Sequence, residues 1–221
     1  LKDAGYGVIH EDSPDKRGID VALAYKRNVF RYMGHEAINI HYEAEPETTT
    51  RDILHVKGMM YGKETHVFVN HWSSRRGGQE ASEFKRLKAA SLLRKKVDSV
   101  LVSNPDAMII AMGDFNDHPD NKSMTNMLDS DPSGIGPLLN LAYKMQIDDL
   151  GTYNYRGDWG MLDQFLVSKN MASRSIMTVF KDDTILYNDK KKGKVPNRTY
   201  AGPNYVAGYS DHLPIVLRID L

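Results

Sequence analysis

The sequence predicts an α+β domain organised around a mixed or antiparallel sheet. Short apolar and β-branched runs of strand length recur along the whole chain, only one long stretch carries a helical period, and the helices are too few for a regular strand–helix alternation. With 221 residues, 41% of them hydrophobic, the chain can bury a sizeable core, and residues 1–221 are expected to form a single domain.

Each element has its own warrant. Residues 19–25 read as a mostly buried strand entered from a turn at Gly18. Residues 41–50, with three Glu and a Pro, read as a polar loop. Residues 51–58 alternate imperfectly and residues 65–70 are β-branched and aromatic, which gives two further strands. The clearest helix covers 79–101: Phe84, Leu87, Ala90, Leu93, Val97 and Val100 recur at spacings of three and four, and Asn104-Pro105 stops it. Residues 107–112 form a short apolar run of buried-strand length, 119–128 and 138–145 read as short helices, and 162–168 and 214–219 as strands. Residues 182–199, rich in Lys, Asp, Asn and Gly, read as a mobile surface excursion.

Composition narrows the chemistry. The 29 basic and 29 acidic side chains cancel, so a polyanion would have to be held by local basic patches and not by bulk attraction. Cysteine is absent, which removes disulfides, thiolate metal sites and cysteine nucleophiles. No run of about 18 apolar residues is present, so no transmembrane helix is expected. Leu1 is not an initiator methionine and no signal-peptide pattern follows it, so the chain is expected to begin inside a longer gene product. Export is then possible if a signal peptide lies upstream; the compartment is left open, and a monomer is expected.

Four places carry polar groups suited to catalysis. Asn70-His71-Trp72 follows the 65–70 strand, and Gly113-Asp114-Phe115-Asn116-Asp117 follows the 107–112 strand. Asp163 lies at the start of the 162–168 strand, and Ser210-Asp211-His212 precedes the 214–219 strand. Two groups thus sit after their strands and two at or before theirs, so oppositely directed strands would gather all four at one sheet edge. Asp114 and Asn116 are two apart and, in extended backbone, point the same way with Phe115 turned into the core. Converging carboxylates repel one another unless a cation lies between them, and oxygen donors suit Mg²⁺, Mn²⁺ or Ca²⁺. Taken singly, each motif has a plain reading as a strand exit, a rim histidine or a turn cap; their joint occurrence in this order points to a site.

The stretches VALAYKR (21–27), TRDILHV (50–56), HVFVNHWSSRRGG (66–78), AMGDFND (111–117), WGMLDQFLVS (159–168) and YSDHLPIV (209–216) together resemble the exonuclease–endonuclease–phosphatase superfamily, whose members include pancreatic deoxyribonuclease. HWSSRRGG resembles a bacterial branch of it. The resemblance implies a four-layer αββα sandwich of two largely antiparallel sheets with flanking helices, the deoxyribonuclease I-like fold, here lacking the first strands. It also implies metal-dependent hydrolysis of a phosphoester, with Mg²⁺ as cofactor and a nucleic acid or a small or lipid phosphoester as substrate. Under it His71, Asp114, Asn116, Asp163 and His212 are catalytic: Asp163 orients His212, His71 meets the scissile phosphate from the other side, and Asp114 and Asn116 position water and phosphate. Asp211 and Asp114 are the implied metal ligands, and Arg51 an implied phosphate contact. Family members carry an Asn and then a metal-binding Glu on strands before the region where this chain starts; Glu11, in a Ser-Pro loop context, is no replacement. The expectation is an N-terminally truncated domain with weakened metal binding.

Other residues extend the site. Ser74 and Arg75, in the loop 74–78, are candidate substrate contacts through hydroxyl, backbone N–H and guanidinium donors. Tyr153, Tyr155 and Trp159 could stack on a base, sugar or inositol ring. The Lys190-Lys191-Lys192 run reads as solvated surface. The alternative class is a binding module that keeps the fold without the catalysis.

Overall fold

The computed structural model describes residues 1–130, 135–148 and 150–220. The chain opens with β1 (Tyr6–His10) and β2 (Ala22–Lys26), which pair as an antiparallel ribbon. Then come β3 (Phe30–Ile38), β4 (Ile53–Met60), β5 (Lys63–His71), the 25-residue helix α1 (Gln79–Ser103) and β6 (Met108–Asp114). The second half holds β7 (Leu138–Asn140), α2 (Ala142–Ile147), β8 (Tyr153–Tyr155), β9 (Asp158–Gly160), β10 (Asp163–Ser168), α3 (Lys169–Ala172) and β11 (Ser175–Val179). Two peripheral hairpins follow, β12 (Leu186–Asp189) with β13 (Gly193–Pro196) and β14 (Tyr200–Ala201) with β15 (Asn204–Tyr205), before β16 (Ile215–Ile219) closes the chain against β11.

Six strands in the order β3-β4-β5-β6-β10-β7 make the central sheet. Every neighbouring pair is antiparallel except β5 and β6, which run parallel because α1 carries the chain back between them. Alternation along these strands sorts side chains to two faces. Phe68, Ile109, Ala111 and Leu166 pack under Ala90, Leu93 and Val97 of α1. On the opposite face, Ile110, Phe165 and Val167 meet Met177 and Leu217 of the β11–β16 ribbon. Further along that face, Leu54, Val56 and Val67 meet Ile9 and Leu23 of the β1–β2 ribbon. The result is an α+β sandwich in which the second layer consists of the two ribbons, with Ala142 of α2 and Met171 of α3 packed beside them. Val8, Ile176 and Val216 on the outer faces of the ribbons are exposed, so among the described residues a long helix covers one side only. None of these helices is long and apolar enough to cross a membrane.

Several local readings need correction. Residues 138–145 are not one helix: β7 pairs with β10, and Asn140 then turns the chain, its side-chain Oδ1 accepting from the N–H of Ala142 while its Nδ2 donates to Gln164 Oε1. The 119–128 segment holds only a five-residue π-type turn, Ser123–Met127. Residues 182–199 contain the β12–β13 hairpin instead of an unstructured excursion. Strands β1 and β3 were not visible in the sequence; β3 is an edge strand with mostly exposed residues, so no apolar period marks it.

Candidate functional site

Register places the first three groups in a row. His71 at the end of β5 is opposite Asp114 at the end of β6, and Asp114 is opposite Asp163 at the start of β10. Because β10 runs against its neighbours, the start of one strand meets the ends of two others, and all three side chains emerge at one edge of the central sheet. His71 Nε2 lies 3.6 Å from Asp114 Oδ2. The fourth group arrives from the second layer: His212 forms an isolated bridge to Tyr153, and Leu213 N–H donates to the carbonyl of Thr152 at 2.7 Å. That anchorage brings His212 Nδ1 to 2.6 Å from Asp163 Oδ2. Thr152 also steadies the other partner, its hydroxyl oxygen accepting from the N–H of Asp163 at 3.1 Å.

The GDFN turn achieves its geometry differently from the extended arrangement read in the sequence. Asn116 has φ of 51°, and its N–H donates to Asp114 Oδ1 at 2.8 Å, so a side-chain-closed turn replaces extended backbone. The outcome is still a carboxylate beside an amide: Asn116 Nδ2 donates to Asp114 Oδ2 at 3.0 Å and to the Trp72 carbonyl at 3.0 Å, while Phe115 is fully buried. Gly113 is required, since its φ is +126° and a Cβ there would stand 2.0 Å from the Asn70 carbonyl oxygen. Asp117 fixes the turn from below. It lies 2.7 Å from Arg86 Nε of α1, both side chains being fully buried, and accepts from Ser123 Oγ and Gln79 Nε2.

These residues open onto a cavity of about 1050 Å³ lined by His71, Asp114, Asn116, Asp163, Asp211 and His212, and walled by the loop 74–79 and by Tyr153 and Tyr155. Ser74 and Arg75 face it. The Arg75 side chain has no hydrogen-bond or ion-pair partner among the described residues, and burial pushes its guanidinium below the usual value. Two expected substrate contacts lie outside. Trp159 does not line the cavity; Lys181 Nζ sits 4.8 Å from the centre of its ring. Arg51 is buried behind the wall, donating to Asp15 and to the carbonyls of His71 and Trp72, so it braces the His71 loop. Its partner Asp15 and the cavity residues Arg76 and Gln79 were not singled out individually from sequence; Asp15 carries no motif, and its role depends on a contact across 36 residues.

Electrostatics separate the two imidazoles. Burial alone would depress His212, but the Asp163 hydrogen bond and the charges of Asp163, Asp114 and Asp211 outweigh it and push His212 up to about 9. Burial, reinforced by Arg51 and His212, pushes His71 down to about 4. Burial and the neighbouring Asp163 push Asp114 above the usual carboxylate range. Ligand atoms of Asp114, Asp163 and His212 all lie within 4.8 Å of one another. A buried carboxylate strained by a second one is what a divalent cation relieves, so the carboxylates of this cluster suit such an ion, with Asp211 exposed at the rim.

The profile of the endonuclease/exonuclease/phosphatase family matches residues 1–221. The chain belongs to this family. Solved structures with the same fold include truncated Caenorhabditis elegans TDP2, at 14% identity and a TM-score of 0.62, with 97% of this chain and 75% of that one covered. The human Nocturnin catalytic domain with bound sulfate is similar at 17% identity and a TM-score of 0.62, covering 99% and 73%. A Bacteroides thetaiotaomicron mannosyl-6-phosphatase is similar at 17% identity and a TM-score of 0.61, covering 98% and 78%. At these identities the likeness is one of fold, and it establishes the deoxyribonuclease I-like class for this family member. Among curated protein sequences, none matches.

Proposed function

We propose that this family member hydrolyses a phosphoester by in-line attack of water. The observation that carries the reading is the row His71, Asp114, Asp163 across three neighbouring strands, with His212 held on Asp163 at 2.6 Å. His212 begins as an imidazolium, so its free Nε2–H serves as donor, first to a phosphoryl oxygen and then to the leaving oxygen as that oxygen gains charge. Asp114, fixed by Asn116, accepts the proton of the attacking water. His71, uncharged, contacts the phosphoryl group from the opposite side. Arg75, the half-buried guanidinium without a partner, takes up the anionic charge of the substrate, Ser74 adds a hydroxyl, and Tyr153 offers a ring to the group beyond the phosphate. Asp114 and Asp211 would hold Mg²⁺ (or Mn²⁺ or Ca²⁺), which when bound supplies charge neutralisation at the phosphoryl oxygens.

The test is turnover of DNA, a nucleotide and a lipid phosphoester in the presence of Mg²⁺. The wild-type chain should hydrolyse at least one, and His212→Ala should lose that activity. Tight binding of a phosphoester without turnover would instead favour a binding module built on the same fold.

A further inference from the structure

Beside the main cavity lies a second one of about 460 Å³, sharing Ser74 and Arg76 with it. Its charged lining is unbalanced. Lys16, Arg17, Arg51, Arg76 and Lys85 contribute five cations, against Asp15 and Glu47. Asp15 is already committed twice, receiving Arg17 at 2.9 Å and Arg51 at 3.1 Å. Lys85 is paired outside the lining with Glu45 at 2.7 Å. Arg76 has no side-chain partner among the described residues, and the Lys16 ammonium meets only the Glu47 carbonyl, at 3.4 Å. Even with Glu45 counted, the cations exceed the carboxylates by two, in a chain with no net charge overall. Among the hydroxyls of the lining, those of Thr49 and Ser74 have no partner among the described residues. A concave surface with surplus guanidinium, ammonium and hydroxyl donors matches a phosphate dianion or phosphodiester and offers little to a neutral group.

We propose that this cavity is a second phosphate subsite, receiving a phosphate of the substrate other than the one attacked. The inference rests on the phosphoester reading and narrows it: preferred substrates carry at least two phosphates, with Arg76 at the passage between the two sites. Such a molecule is either a nucleic acid strand or a small bisphosphate, and the shared chemistry is the second phosphate itself.

Lys16 tests this, being exposed and absent from the main cavity. Binding is measured by calorimetry in a His212→Ala background, where turnover does not interfere. The probes are a 5′-phosphorylated thymidine dinucleotide, a hexose bisphosphate, and the one-phosphate ester thymidine p-nitrophenyl phosphate. Lys16→Glu should weaken a two-phosphate probe by about tenfold, the weight of one charge-assisted contact, and leave the one-phosphate ester within about twofold. Lys16→Arg should restore binding. Which two-phosphate probe responds distinguishes a strand from a small bisphosphate. Equal weakening of all three probes, or of none, overturns the subsite. Failure of the phosphoester reading would show separately, as absence of turnover of every ester by the wild-type chain.

Discussion

His212 Nδ1 lies 2.6 Å from Asp163 Oδ2, so the tautomer and orientation of the imidazole are set by a carboxylate that itself stands opposite Asp114 in the sheet. A base or acid held this way presents its other nitrogen to the cavity. His212→Ala is expected to lower kcat at least about a hundredfold, the low end for loss of a general acid or base. Asp163→Asn should lower kcat with little change in KM, because the ring stays but loses its orienting charge. Steady-state kinetics on any ester the chain turns over decide both, and an unimpaired His212→Ala would make that residue structural.

Metal binding is expected to centre on Asp114. Calorimetric titration of Mg²⁺ should show binding by the wild-type chain and at least about tenfold weaker binding by Asp114→Asn, which removes the charge and keeps the shape. Equal affinities would remove Asp114 from the ligand set.

The buried Arg86–Asp117 pair ties α1 to the GDFN turn and should dominate the stability of this region. Arg86→Ala would leave the Asp117 carboxylate buried without its counter-charge, a loss of about 3–5 kcal/mol. Urea denaturation monitored through the buried Trp72 measures it. A cost below about 1 kcal/mol would show that Ser123 and Gln79 satisfy Asp117 unaided.

On the adjacent strands β4 and β5, the buried His55 hydrogen-bonds Glu36 at 2.7 Å and His66 at 2.8 Å. Burial pushes His55 down to about 4 and pushes His66 down as well. The unfolded chain therefore takes up protons at these histidines near 6.5 while the folded chain does not, so stability falls as pH drops from 6.5 towards 4. The fall from 6.5 to about 4 at His55 corresponds to at most about 3 kcal/mol. Glu64, held down to about 2 chiefly by Lys57 and His66, adds a second loss below about 4.5. Denaturant midpoints between pH 7 and 4 should decline in the wild type and decline less steeply in His55→Gln; parallel curves would remove His55 as the cause.

The sequence by itself determined which chemistry is present. The strand-length runs, the period of α1 and the acids, amide and imidazoles at strand ends are local patterns, and local patterns survive without knowledge of packing. They located the GDFN turn, Asp163 and the Asp211-His212 step, and through their joint resemblance indicated the fold of the family to which the chain belongs. Tertiary structure decided what those residues do. His71, Asp114 and Asp163 face one another only because β5, β6 and β10 adopt one register, a property of long-range pairing that no window of sequence contains. For the same reason Arg51 lies outside the main cavity and braces the His71 loop: its partner Asp15 lies 36 residues away, and burial gave the guanidinium carbonyl acceptors instead of solvent. Trp159 left the cavity because β9 turns its ring towards Lys181. Residue types fix which bonds can form; only packing fixes which partner is within reach.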